Sequence, residues 1–164
     1  MVFITELVLL SILSGLICFV WGCISFFTGI FTWVGFSGCT SFFIMNEKDP
    51  LKRAMKSFVS NVNGSFYAFS SIYLSSIFDI DFVTVFLTTG FITIFIIYQS
   101  KTELFSCVPA CFIGCFVTFG LNGDIKMAIT GFFCGAVLGY ALEMAGIFSK
   151  NFVNKKKQNI DKAA

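Results

Sequence analysis

The sequence has no histidine and few charged residues, and both shortages narrow what the protein can do. Among its 164 residues there is no His, and Asp, Glu, Lys and Arg together make up only 12%. Histidine is the commonest general base and a frequent metal ligand, so its absence argues against ordinary hydrolytic or redox chemistry. No cluster of carboxylates replaces it. We therefore expect a protein that is not an enzyme and carries no cofactor.

Net charge and composition indicate the class of protein. The formal net charge of +2 is too small to favour nucleic acid as a partner, and basic residues are not interleaved with aromatic ones. Hydrophobic residues make up 57% of the chain and include 24 Phe. A soluble domain could not bury so much apolar surface. We expect an integral membrane protein with the lipid bilayer as its principal partner.

Seven cysteines lie inside apolar runs and form no CxxC pair, which argues against a disulfide framework or a zinc site. Cys107, Cys111 and Cys115 recur every four residues, so on a helix they share one face and could offer thiolates to a soft metal. The alternative is that cysteine is a small packing residue here. We favour packing and expect no metal site.

Charge-free runs predict an all-α fold of six membrane spans. The first run, Leu7–Met45, has 39 residues, about twice the ~20 that cross a hydrocarbon core of ~30 Å, so it should contain two spans. Asp79 and Asp81 mark a later turn, and Asn122-Gly123-Asp124 reads as a tight turn between helices. The predicted spans are approximately Thr5–Phe27, Ile30–Met45, Pro50–Ile77, Phe82–Ser100, Leu104–Gly123 and Ile125–Phe148.

The distribution of basic residues predicts the orientation. With the N-terminus in the cytoplasm, ten Lys and Arg lie on the inner side and only Lys126 on the outer side. Both termini are then cytoplasmic. We expect one transmembrane domain over residues 1–149 and a frayed, basic cytoplasmic tail over residues 150–164.

The two halves of this domain resemble each other, with repeat 1 over residues 5–77 and repeat 2 over residues 82–149, both approximate. Three spans in each half would insert the second copy upside down, as in many transporters and channels. Gly38 and Phe43 correspond to Gly114 and Phe119 at an offset of 76, whereas Ser60, Gly64 and Ala68 correspond to Gly131, Gly135 and Gly139 at an offset of 71.

Those last six residues form small-residue faces, because residues four apart lie on the same side of a helix. Such faces let two backbones approach closely in lipid. We interpret Ser60, Gly64, Ala68, Gly131, Gly135 and Gly139 as helix-packing residues. The packing can occur within one chain or between copies in a homo-oligomer, and both alternatives are open.

Three segments carry a resemblance to a known family: GFSGCTSFF, SCVPACFIGCFVTFGLNGD and GAVLGYALEMAGIF. They resemble the YcdZ-like family of bacterial inner-membrane proteins, built on domain of unknown function 1097, over about Ser11–Phe148. The resemblance implies a small multi-pass protein of the bacterial cytoplasmic membrane and no particular activity. The sequence departs from the family pattern at Ala110, Cys111 and Glu143.

Two hypotheses for function are the strongest. The first is a channel or facilitated transporter for a small polar solute, whose path would be lined by side chains of the second and fifth spans. Thr40 and Thr118 should then meet near the pseudo-symmetry axis. Hydroxyls in membrane helices also bond back to their own carbonyls, which is the structural alternative. The second hypothesis is a structural or regulatory subunit of a larger membrane complex. The path-lining candidates are Ser37, Thr40, Ser41, Thr118 and Asn122.

Glu143 is the one acidic residue well inside a predicted span. An intramembrane carboxylate is a functional candidate by default. It also lies seven residues before Lys150, near the inner surface, where its side chain can reach lipid headgroups. We favour this interfacial position for Glu143.

Overall fold

The computed structural model describes the backbone of residues 2–77 and 82–163 and the side chains of residues 6–77 and 89–158. In these residues every secondary-structure element is a helix, which confirms the predicted all-α class. The predicted turn at Asp79 and Asp81 lies outside the described residues. The helices are α1 Val2–Thr28, α2 Thr32–Ile44, α3 Pro50–Ile77, α4 Phe82–Gln99, a short 3-10 helix Glu103–Phe105, α5 Val108–Gly120 and α6 Ile125–Ala163.

Local chemistry explains where several helices begin. The Asp49 carboxylate accepts hydrogen bonds from the amides of Leu51 and Lys52 at 2.8 and 3.0 Å, and Pro50 occupies the first helical position of α3. Between α5 and α6, Asn122 and Gly123 adopt positive φ angles of 51° and 86°. This left-handed pair reverses the chain within the tight turn that the sequence predicts.

The helices α2 and α5 are shorter than the predicted spans, with 13 residues each. The prediction started the fifth span at Leu104, but α5 begins at Val108. Pro109 explains the difference, because proline is tolerated only in the first turn of a helix. Each short helix is about 20 Å long.

The last helix is longer than predicted. We expected the span to end near Phe148 and the tail to fray, whereas α6 continues without a break through Ala163. Among the described residues, two helices are long and apolar enough to cross a membrane: α1 at Glu6–Thr28 and α6 at Ile125–Gln158.

Four helices form the centre of the bundle. The helix α3 packs mainly on α5, α2 packs mainly on α6, and α3 and α6 also contact each other. Between these helices lies an apolar cluster of Val34, Val117, Ala128 and Phe132. The helix α1 lies against α6, and α4 contacts α3 and α5. Several polar side chains of the central helices are buried inside this bundle, among them Ser41, Asn61 and Thr118.

Candidate polar site in the helix bundle

A buried hydrogen bond between Ser41 and Asn61 connects α2 to α3. The Ser41 hydroxyl donates to Asn61 Oδ1 at 2.7 Å, and both residues are fully buried. The other amide atom, Asn61 Nδ2, is the one buried side-chain nitrogen or oxygen without a hydrogen-bond partner among the described residues. An unpaired buried donor costs about 1–3 kcal/mol, so such groups are rare unless something else uses them.

The hydroxyls around Asn61 bond to backbone carbonyls. Ser65 Oγ lies 3.1 Å from the Asn61 carbonyl oxygen, and Thr118 Oγ1 donates to the Gly114 carbonyl at 2.9 Å. Ser57 donates to the Ala54 carbonyl at 3.0 Å. Because these three hydroxyl protons are used within their own helices, the Asn61 amide is the polar group here with remaining donor capacity.

The structure does not bring the predicted path-lining residues to one place. Thr40 is exposed and donates to the Phe36 carbonyl, whereas Thr118 is buried, so the two threonines do not face a common space. Ser37 is partly buried and bonds to the Trp33 carbonyl, and Asn122 is exposed in the α5–α6 turn. Only Ser41 of this group forms a hydrogen bond with Asn61.

The residues that we interpreted as packing residues lie where helices approach most closely. A methyl group on Gly64 would overlap the carbonyl oxygen of Cys111 on α5, and one on Gly135 would overlap the carbonyl oxygen of Gly35 on α2. All members of the set are buried, and these contacts lie within one chain. The full set is Ser60, Gly64, Ala68, Gly131, Gly135 and Gly139.

Arg53 connects one end of α3 to α6 and to the loop before α3. Its guanidinium binds the Glu143 carboxylate at 2.5 Å, and its Nε donates to the Glu47 carbonyl at 2.7 Å. The guanidinium also lies over the Phe42 ring, 5.3 Å from the centroid. The side chain of Glu143 is 20% exposed. It is therefore held by Arg53, where we had expected it to reach lipid headgroups.

Lys56 joins two loops at the same end of the bundle. Its ammonium group binds Glu47 and Glu103, each at 2.8 Å. The hydrogen bond from Lys56, with further ones from the amides of Asp49 and Lys48, lowers the pKa of Glu47 to about 2. Lys56 also lowers the pKa of Glu103. These ion pairs tie the α2–α3 loop to the segment between α4 and α5.

A second polar group lies between α3, α4 and α5. The amide nitrogens of Asn63 and Gln99 lie 3.8 and 3.6 Å from the sulfur of Cys111, and the Tyr67 hydroxyl donates to Gln99 Oε1 at 3.0 Å. Cys115 Sγ lies 3.2 Å from the Gly64 carbonyl oxygen. Both thiols thus contact helix backbone or amides, and the described residues contain no group of three or more potential metal ligands of the His, Cys, Asp and Glu types.

Sequence reasoning missed Asn61, although a signal for it was present. Asn61 belongs to a run of small and polar residues at helical spacing in α3, the helix that the sequence predicts as the third span. A side-chain amide inside such a span is costly in lipid and is a functional candidate. We gave weight to the hydroxyls of the second and fifth spans instead.

Known proteins resemble this chain over most of its length. The family model described as "Protein of unknown function (DUF1097)" matches residues 11–147. The chain is 30% identical over 139 residues to "Inner membrane protein YcdZ" of Escherichia coli (strain K12), covering 85% of each chain. It is 28% identical over 139 residues to the protein of the same name from Salmonella typhimurium, covering 85% of this chain and 86% of the relative. No solved structure matches the chain significantly.

Proposed function

The chain belongs to the DUF1097 family, and from that premise we propose that it is a facilitated transporter for a small polar solute rather than an enzyme. The protein is located in the bacterial cytoplasmic membrane, as its relatives are. In the proposal it crosses the membrane six times, with both termini in the cytoplasm, as two inverted repeats of three helices. The unpaired amide of Asn61 is the observation on which the transport function rests.

The pattern of burial supports the two repeats. At an offset of 76, every buried residue of α2 has a buried counterpart on α5. At an offset of 71, every buried residue of α3 has a buried counterpart on α6. The buried residues of α2 are Val34, Gly35, Gly38, Cys39, Ser41 and Phe42, and those of α5 are Ala110, Cys111, Gly114, Cys115, Val117 and Thr118.

Backbone contacts support the same equivalence. Gly64 meets the carbonyl of Cys111, and the residues at the corresponding positions of the other repeat, Gly135 and Gly35, meet in the same way. The two glycines occupy corresponding positions and contact corresponding carbonyls. This supports a similar arrangement of α3 on α5 and of α6 on α2. Three spans in each repeat then make the two copies antiparallel in the membrane.

The position of Asn61 suits a solute that crosses the membrane. Asn61 lies eleven residues after Pro50, about 16 Å along the axis of α3. Lys56, the last charged residue of α3, is five residues before it, so Asn61 lies about 8 Å inside the uncharged part of the helix. A solute carrying a carbonyl or hydroxyl oxygen would find a hydrogen-bond donor there. Because Gly64 and Gly114 bring α3 and α5 into backbone contact beside Asn61, passage requires these helices to move. This favours a carrier over an open channel.

The test is solute flux into proteoliposomes, measured by swelling or uptake with urea, ammonium, short carboxylates and glycerol. Asn61→Leu keeps the number and branching of the side-chain heavy atoms and removes the donor. Asn63→Leu is the matched control, because it removes the same amide two residues away on α3. We expect Asn61→Leu to lower the flux roughly five- to tenfold, the effect of losing one or two hydrogen bonds, and Asn63→Leu to leave it within about twofold.

Two results would contradict the proposal. Equal flux through the parent and a correctly folded Asn61→Leu variant would remove Asn61 from the path. No flux through the parent above empty liposomes, for every solute in the panel, would remove transport itself.

A second candidate function is a structural or regulatory subunit of a membrane complex. It is favoured by the hydroxyls of Ser37, Thr40 and Thr118, which all bond to carbonyls of their own helices and so are occupied in the packed bundle. Absence of flux in the parent, together with a defined second membrane protein bound in stoichiometric amount by native mass spectrometry, would establish this function.

A further inference from the structure

A groove between α1 and α6 is separate from the polar interior. It has a volume of about 470 Å³, and Phe43 of α2 contributes to its wall. Its wall is mostly apolar: on α1 it is formed by Leu10, Ser14 and Cys18, and its apolar residues on α6 include Leu142 and Ile147. A volume of this size is in the range of small-molecule sites.

Gly146 contributes to the width of this groove. A methyl group at Gly146 would lie 3.9 Å from the Leu10 side chain, so the glycine leaves space between the two helices. The apolar wall extends for eight residues on α1, which is about 12 Å. A helix with its side chains is roughly 10 Å across, so a groove of this volume is too small to hold a helix of a second protein. A single hydrocarbon chain fits these dimensions.

One end of the groove is cationic. Lys150 lies at this end and is exposed, and among the described residues no acidic side chain forms an ion pair with it. Glu143 also borders the groove, but Arg53 binds its carboxylate. Among the residues that line the groove, the unpaired charge is therefore positive. The Ser149 hydroxyl bonds to the carbonyl of Glu6, so this end of the groove lies beside the start of α1, and the Glu6 carboxylate is not part of the groove wall.

We propose that this groove binds an anionic phospholipid, with one acyl chain along α1 and α6 and the phosphate at Lys150. The apolar wall and the basic residue lie in the order in which a phospholipid presents its chain and its headgroup. In a bilayer, a basic residue next to a membrane helix attracts anionic lipid by roughly 1 kcal/mol, which is about a fivefold preference. The occupant is a lipid of the leaflet on the side of Lys150.

The test is native mass spectrometry of the detergent-purified protein with phosphatidylglycerol or phosphatidylethanolamine of the same chain length. We expect the parent to retain the anionic lipid about fivefold more than the zwitterionic one. Lys150→Gln should abolish that preference. Lys156→Gln should not change it, because Lys156 is exposed on α6 and is not part of the groove.

Gly146→Leu tests the apolar part of the site, because the larger side chain fills the space beside Leu10. It should reduce the binding of both lipids, whereas Gly22→Leu should not, since open space surrounds Gly22. Equal retention of the two lipids by the parent, or an unchanged preference in Lys150→Gln, would overturn the headgroup assignment. Unchanged binding in Gly146→Leu would overturn the groove as the site. Because Lys150 is exposed, Lys150→Gln should fold normally. The headgroup assignment is therefore tested even if Gly146→Leu does not fold.

Discussion

The helices α3 and α6 pack in the same way with different side chains. Each presents six buried residues at corresponding positions, and each brings a glycine against a neighbouring carbonyl. Those of α3 are mostly polar, whereas those of α6 are apolar. They are Ser57, Ser60, Asn61, Gly64, Ser65 and Ala68 on α3, and Ala128, Gly131, Phe132, Gly135, Ala136 and Gly139 on α6.

This difference shows which features of the buried residues are needed for packing and which are not. Both helices need small residues where backbones meet, because a larger side chain would displace a neighbouring helix. Neither packing arrangement needs hydroxyls or an amide, since α6 has Phe132 at the position that corresponds to Asn61. The polar character of α3 is therefore additional to its structural role, and this is why we look for function beside α3.

The largest effect is expected at the glycines that α3 and α6 share. Gly64→Val and Gly135→Val each force side-chain atoms into a backbone carbonyl, and overpacking of this kind costs upwards of about 3 kcal/mol. We expect both variants to lose most of the folded protein in a thermal unfolding assay. Gly22→Val is the control, because nothing lies near Gly22. Tolerance at only one of the two glycines would break the equivalence of α3 and α6.

The ion pair that joins the two helices should have the next largest effect. In Arg53→Met, the partly buried Glu143 carboxylate loses its partner, and we expect a loss of about 2–3 kcal/mol in stability. The double variant Arg53→Met/Glu143→Met should recover most of this loss, because no unpaired charge remains. A double-mutant cycle on unfolding free energies measures the coupling. If the double variant were as unstable as Arg53→Met, the loss of stability would not come from an unpaired Glu143 carboxylate.

Making α3 more like α6 should cost little stability. Asn61→Leu removes the unpaired donor, while the Ser41 hydroxyl keeps the Ser37 carbonyl at 3.2 Å as an acceptor. We expect a change within about 1 kcal/mol, in either direction, in the same unfolding assay. A loss well above this value would mean that the amide is part of the packing, and the contrast between α3 and α6 would then lose its functional meaning.

Acidification should have a smaller effect on stability, through the ion pair between Lys56 and Glu47 near the start of α3. Because Lys56 lowers the pKa of Glu47 from 4.5 to about 2, the pair contributes its full stability above pH 4.5 and loses it as the pH falls through about 2. Lys56→Gln should therefore reduce the fall in melting temperature between these pH values. An acid response identical to that of the parent would exclude the pair as a contributor.

The smallest effect is expected for Thr40→Val/Thr118→Val. Both hydroxyls bond to carbonyls of their own helices, and Thr40 is exposed whereas Thr118 is buried, so solute flux in proteoliposomes should stay within about twofold of the parent. Ser41→Ala is the informative comparison, because Ser41 touches Asn61. A tenfold loss in the threonine variant would return these residues to the path.

Charge and turn residues made much of the fold predictable. The start of α3 at Pro50 and the turn at Asn122 and Gly123 follow from backbone chemistry that operates locally. The start of α5 was missed because an apolar run was read as one helix although Pro109 limits where a helix can begin. The charged tail was expected to fray because of its polar composition. Composition alone does not show that the tail continues the helix that begins at Ile125.

The candidate site was less predictable, because it depends on which helices become neighbours. Ser41 and Asn61 are twenty residues apart in sequence, and nothing local indicates that one bonds to the other. The salt bridge between Arg53 and Glu143 spans ninety residues and has the same property. Spacing within a helix indicates which residues share a face, whereas contacts between helices required the structure.

The length of α6 has a practical consequence for imaging this protein. Its 39 residues extend about 58 Å, nearly twice the thickness of the hydrocarbon core, so about half of the helix can stand outside the lipid as a rigid rod. A helical fusion partner joined in register at Ala163 would inherit that rigidity and serve as an alignment marker for single-particle microscopy. Since each added residue turns a helix by about 100°, inserting one residue at the junction would rotate the marker by a known angle.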